Sequence, residues 1–173
     1  MDLKPLLRVV PDFPKPGIQF IDISTLLLEP AALNWTIKAL VEPYKGKKID
    51  KVVGVESRGF IFAAPMAIQL NAGVCIIRKP NKLPAESFSH TYDLEYGSDT
   101  VEIHKDAIHP GETVVIIDDL LATGGTVEAS QKLLQNFDCN VEGISFVVEL
   151  TFLGGRKKLE PTPVYSLVTY DNE

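Results

Sequence analysis

The stretch Val114–Thr126, VVIIDDLLATGGT, holds the residues best suited to chemistry. It reads as a buried strand, two adjacent carboxylates (Asp118 and Asp119), a turn, and a Gly-Gly loop that opens a helix. Glycines let backbone N–H groups crowd around an anion. A helix N-terminus adds partial positive charge, and the Thr123 and Thr126 hydroxyls can donate as well. Taken alone, Gly124-Gly125 is an ordinary turn and Asp118-Asp119 a capping or solvated pair. Together, after a buried strand, they describe a phosphate cradle beside two carboxylates that repel each other and need partners. Ribose hydroxyls, with Mg²⁺ nearby, would supply them. The glycine spacing fits neither a Walker A loop nor GxGxxG.

Elements that could position such a cradle recur along the chain. Three β-branched apolar runs each end in an abrupt polar cluster: 52–55 before Glu56-Ser57-Arg58-Gly59, 74–77 before Arg78-Lys79, and 114–117 before Asp118-Asp119. Continuous apolar runs suit strands buried on both faces of a parallel sheet. Residues 60–70 predict a well-buried helix, 126–137 an amphipathic one, and 144–150 another core strand. Strand and helix alternate, which predicts a doubly wound α/β fold with a mostly parallel central sheet flanked by helices. Ligands in such sheets bind beyond the carboxyl ends of the strands, where all three polar clusters fall. Residues 80–98 read as a long loop of the kind that forms lids. Residues 101–104 alternate like an antiparallel strand.

The 173 residues suit one domain, and 45% hydrophobic with 23% charged residues is ordinary for a soluble globular chain. The net charge of −6 argues against a general nucleic-acid binder. Cys75 and Cys139 sit in apolar context and read as buried free thiols. His90, His104 and His109 form no metal cluster, and His109 precedes Pro110-Gly111 as a turn residue. No signal-peptide pattern or membrane-length apolar run is present, so a cytoplasmic location is expected.

Residues 114–126 closely resemble the phosphoribosyl-pyrophosphate signature of type I phosphoribosyltransferases. The resemblance extends to the adenine-specific family through FPKPGIQFIDIS (13–24), VVGVESRGFIFAAP (52–65), RKPNKLP (78–84), TYDLEYG (91–97) and ELTFLGGRKKL (149–159). It implies one domain over 1–173, with a base-binding hood at about 1–30 and a flexible catalytic loop at about 80–98. The implied activity is purine salvage: transfer of the 5-phosphoribosyl group from phosphoribosyl pyrophosphate to adenine, giving AMP and pyrophosphate.

By the same resemblance, Ala122, Thr123, Gly124, Gly125 and Thr126 hold the 5′-phosphate, and Asp118 and Asp119 hold the ribose hydroxyls. Ser57, Arg58, Arg78, Lys79, Lys82 and Tyr96 meet the pyrophosphate, and a non-proline cis peptide is expected at Glu56-Ser57. Glu95 handles the purine N7 proton. Phe20 stacks on adenine, backbone groups at Gln19 and Ile21 read its edge, and Leu120 forms a second wall. Mg²⁺ arrives with the sugar substrate rather than on a dedicated protein site, and the enzyme is a homodimer. Two departures stand out: Ile21 replaces a common arginine and Asn81 a common glycine. Plain alternatives stay open on residue type alone: a solvated strand end for Arg78 and Lys79, an exposed loop residue for Glu95, core packing for Leu120, loop packing for Tyr92 and Tyr96. So do a xanthine- or orotate-specific enzyme and a phosphoribosyl-pyrophosphate-sensing regulator on the same fold.

Overall fold

The computed structural model describes residues 1–93 and 97–172. A short antiparallel pair, β1 (Arg8–Val10) and β2 (Phe20–Asp22), opens the chain with Val9 opposite Ile21. A single turn, α1 (Ser24–Leu27), leads to α2 (Pro30–Val41), whose first position is a proline that needs no N–H there. The strands and helices β3 (Lys51–Val55), α3 (Gly59–Leu70) and β4 (Gly73–Ile77) follow. A hairpin of β5 (Ser87–Asp93) and β6 (Ser98–His104) comes next. The chain ends with β7 (Thr113–Leu121), α4 (Gly125–Leu134), β8 (Asn140–Leu150) and β9 (Val164–Tyr170).

The central sheet is five-stranded, in the order β4-β3-β7-β8-β9, and every pairing is parallel. After β3 the chain steps outward to β4 and later returns to lay β7 on the opposite side of β3. Strand order therefore reverses between β3 and β7, which opens a crevice at their carboxyl ends. Alternation divides the core. Val52, Val115 and Ile117 face one layer with Phe62 and Met66 of α3 and Leu40 of α2. Val53, Val55, Val114 and Ile116 face the other with Val127, Leu133 and Leu134 of α4. Each fully buried aliphatic side chain of this kind stabilises the fold by about 1.5–3 kcal/mol relative to exposure. The doubly wound reading of the sequence is correct.

Several boundaries differ from the sequence reading. Strand β7 runs on to Leu121, so Asp118 and Asp119 lie on it, with Asp118 in register with Phe146 of β8. Pairing with a long neighbour extends the strand past the end of its apolar run. The expected loop at 80–98 contains β5, which pairs residue for residue with β6 from Ser87–His104 to Asp93–Ser98. Its mixed sequence, SFSHTYD, carries only a weak alternation, with Phe88 and Tyr92 turned toward the core that includes α4. The helix at 59–70 is buried on one side only. Phe62, Ala63, Met66 and Ala67 face the sheet while Ile61 and Ile68 are exposed, because α3 covers the sheet with one stripe. The second helix stops at Leu134 rather than 137, and Phe137 instead packs edge-on against Phe88. Of the two free cysteines, Cys75 is buried as expected, whereas Cys139 is only half-buried.

Candidate active site

The loops after β3 and β7 meet at the switch point. Gly59 starts α3 so close to β7 that an added Cβ would stand 2.6 Å from the Ile117 carbonyl oxygen and 3.2 Å from Asp118 Oδ1. That approach carries Arg58 across the crevice, where its Nε lies 2.9 Å from Asp119 Oδ2. The guanidinium is off the hydrogen-bonding direction, so this buried oxygen has no hydrogen bond among the described residues. Asp118 Oδ1 accepts from the Asp119 N–H at 2.9 Å. Burial pushes the Asp118 carboxyl well above the usual carboxylate range, and the neighbouring Asp119 charge pushes it further. Burial raises Asp119 too, while Arg58 opposes that rise. Two carboxylates with little water, one cation and an unused acceptor form a site that favours hydroxyl donors or positive charge.

Beyond Leu121 the chain forms the cradle. Asp118, Leu120 and residues 121–127 line a cavity of about 90 Å³. Gly124 sits at φ +81°, in the left-handed region, and serves as the N-cap of α4. Backbone N–H groups at the start of this helix have no intrahelical partner, so the cavity is bordered by donors. The Tyr92 hydroxyl lies 3.0 Å from the Thr126 hydroxyl and holds the β5–β6 hairpin beside the helix start.

The basic residues are held by acids. Glu56 pairs with Lys82, with Arg78 Nε at 3.3 Å, and accepts from the Lys79 N–H at 2.7 Å. Burial alone would raise the Glu56 carboxyl, but Lys82, the Lys79 amide and Arg78 outweigh it and hold it at about 2. The Lys79 ammonium pairs with Asp99 and lies 3.4 Å from the Tyr92 hydroxyl. Asn81 adopts φ +64° and donates its N–H to Glu102 at 3.1 Å. Asparagine is among the few side chains that tolerate this conformation. Ser57 is exposed at the mouth, and the Glu56-Ser57 peptide is cis.

The hood reaches the site through Phe20. The Arg58 guanidinium lies 5.1 Å above its ring, and Phe13 meets it edge-on at 5.2 Å. Ile21 is buried against the core rather than turned outward, so this position makes an apolar packing contact. Gln19 and Ile21 border a separate cavity of about 260 Å³ with Lys4, Leu150, Phe152 and Tyr170. Leu120 both lines the cavity beside residues 121–127 and packs on the core. Glu95 and Tyr96 lie outside the described residues.

The phosphoribosyl transferase domain family matches residues 28–169. An adenine phosphoribosyltransferase from Solibacter usitatus is 55% identical over 170 residues, covering 98% of each chain. The chain belongs to the adenine phosphoribosyltransferase family. The crystal structure of an adenine phosphoribosyltransferase from Thermoanaerobacter pseudethanolicus superposes with a TM-score of 0.94 at 49% identity, covering 97% of this chain and 98% of that one. The Saccharomyces cerevisiae enzyme, solved with an imino-altritol bisphosphate and adenine, gives 0.90 at 43% identity and covers 95% and 96%.

Membership in the adenine phosphoribosyltransferase family makes the fold and enzyme class those expected from sequence. Nothing in the sequence assigns a side-chain role to Glu56, Asp99, Glu149 or Gly155. Glu149 opens and Gly155 lies within the 149–159 family segment, without a role attached to either. Asp99 carried no signal, because only the β5–β6 register brings it to Lys79.

Proposed function

We propose that this chain salvages adenine, forming AMP and pyrophosphate from adenine and phosphoribosyl pyrophosphate. The observation that carries this reading is the junction at the switch point. A phosphate-sized, amide-bordered loop, a carboxylate pair of half-buried Asp118 and buried Asp119 with an unused acceptor, and the aromatic Phe20 are joined through Arg58.

Residues 122–126 anchor the 5′-phosphate through N–H and hydroxyl donors. Asp118 and Asp119 accept from the ribose hydroxyls and face the ring carbon that becomes cationic as the pyrophosphate departs. Charge aimed where charge develops is the larger catalytic contribution in such reactions. Arg58, Ser57, Lys79, Arg78 and Lys82 receive the pyrophosphate. Arg58 and Lys79 must exchange Asp119 and Asp99 for the incoming anion, so their carboxylate partners keep them in place without leaving bare charge. Phe20 and Leu120 sandwich adenine, while backbone groups at Gln19 and Ile21 read its edge. Glu95 takes the N7 proton as N9 attacks, and Tyr96 meets the pyrophosphate.

Among the described residues no group of three or more His, Cys, Asp or Glu could hold a metal ion. The carboxylate oxygens of Asp118 and Asp119 suit a hard cation, which would draw most of its ligands from the substrate. Mg²⁺ bound this way would supply positive charge against the departing pyrophosphate. A homodimer fits the exposed apolar stripe of Ile61 and Ile68 on α3 with Val74 on the edge strand β4. Light scattering should give twice the chain mass. No helix among the described residues is long and apolar enough to cross a membrane. Two free cysteines, Cys75 and Cys139, fit a reducing cytoplasm.

The test is to incubate the protein with Mg²⁺, phosphoribosyl pyrophosphate and each nucleobase. AMP formed fastest from adenine is expected. Absence of AMP, or faster product from hypoxanthine, guanine or xanthine, overturns the reading.

A further inference from the structure

We propose that Glu149 and Arg156 are positioning residues for the phosphoribosyl substrate: their ion pair fixes the Gly154–Leu159 turn as a rigid back wall to the phosphate cradle. This rests on the reading of 122–126 as the phosphate site.

The cradle leans on that turn. A Cβ on Gly124 would stand 2.7 Å from the Gly155 carbonyl oxygen. A Cβ on Gly155 would collide with the Ala122 carbonyl oxygen and reach 2.9 Å from the Gly124 nitrogen. Two glycines back to back therefore set how far the phosphate loop can sink toward the sheet. Whatever places Gly155 places the amides at 123–125.

The turn is pinned at both ends. At its start, Arg156 donates from Nε to Glu149 Oε1 at 2.9 Å and from its terminal nitrogens to Glu149 Oε2 and to the Val164 carbonyl, the latter at 2.7 Å. Ser166 donates to the same carboxylate at 2.6 Å. Glu149 is 3% exposed at the end of β8 and Val164 opens β9, so the fork ties the turn to two strands of the sheet. At its far end Leu159 is fully buried, and Gln131 of α4 donates to its carbonyl at 3.4 Å and to the Thr162 hydroxyl at 2.9 Å. A buried carboxylate with a bidentate guanidinium is more than solvation needs; it defines distance and orientation. Neither residue lines the phosphate cavity, so their action must pass through Gly155.

Ribose 5-phosphate binding, measured calorimetrically, and steady-state kinetics test this on the wild-type chain and on Glu149→Gln, Arg156→Gln, Arg156→Lys and Gly155→Ala. Expected is a rise of about tenfold or more in both the ribose 5-phosphate Kd and the KM for phosphoribosyl pyrophosphate, with the KM for adenine within about twofold. Arg156→Lys keeps charge but not the fork, so it falls between wild type and Arg156→Gln. The Glu149→Gln/Arg156→Gln double variant should be no worse than the poorer single one, as for two residues acting as a unit. If the buried Glu149 variant does not fold, Gly155→Ala and Arg156→Lys carry the test. Variants that bind ribose 5-phosphate like the wild type, or lose adenine affinity equally, overturn the inference alone. A wild-type chain that binds no ribose 5-phosphate overturns the function reading and this inference with it.

Discussion

Arg58 Nε lies 2.9 Å from Asp119 Oδ2, joining the loop after β3 to the carboxylate pair on β7 across the reversal in strand order. Cation and anion of the same site thus neutralise each other before substrate arrives. In the proposed reaction this contact would be traded for two others, Arg58 with a phosphate and Asp119 with hydroxyls.

Replacing Asp119 by Asn removes the charge while keeping the shape. The kcat/KM for phosphoribosyl pyrophosphate should fall about 10- to 100-fold, the range for losing a charged hydrogen-bond acceptor. Steady-state kinetics at saturating adenine measure it. An unchanged value would return the pair to a structural role.

Glu95→Gln should lower kcat by about 10²- to 10⁴-fold, the usual contribution of a positioned acid–base group. Affinity for the sugar substrate should stay within about twofold. Full turnover in this variant would remove Glu95 from the mechanism.

Stability should move the other way at Asp118. Burial and the Asp119 charge raise its folded pKa above 3.8, so its ionised form opposes folding at neutral pH. Asp118→Asn removes that penalty and keeps the acceptor for the Asp119 N–H. A gain of about 1 kcal/mol, or ~2–4 °C in Tm at pH 7, is expected together with lost activity. The gain should vanish below about pH 3.8, where the unfolded carboxyl is also protonated. Thermal melts from pH 3 to 7 measure both; a lower Tm at pH 7 contradicts the assignment.

Glu56 has the opposite sign. Its carboxyl is held at about 2 against an ordinary value of 4.5. The stability it lends is complete above pH 4.5 and is lost as pH falls from 4.5 toward 2. Glu56→Gln should melt below the wild type at pH 7, with the gap closing through that window. A gap independent of pH would mean that the ion cluster with Arg78 and Lys82 does not stabilise the fold.

The sequence by itself determined the sheet and the chemistry at the end of its strands. Val52-Val53 and Val114 to Ile117 are apolar throughout because both faces of a central parallel strand are covered, whereas Val74 keeps the same residue type on the edge strand with its side chain exposed. Abrupt polarity after them marks where the sheet ends and ligands begin. The Asp118–Thr126 motif is local: a strand, a turn and a helix start within one short stretch, so spacing alone describes the cradle.

Only tertiary structure decided what holds that cradle and its cations. Glu56 gathers Arg78, Lys79 and Lys82, Asp99 reaches Lys79 through a hairpin register, and Gly155 meets Gly124 from 31 residues away. Ile68 is as apolar as Met66, yet one faces solvent and the other the sheet. Contacts between distant segments depend on how strands are ordered and how closely backbones approach, and neither leaves a periodic trace in the residues themselves.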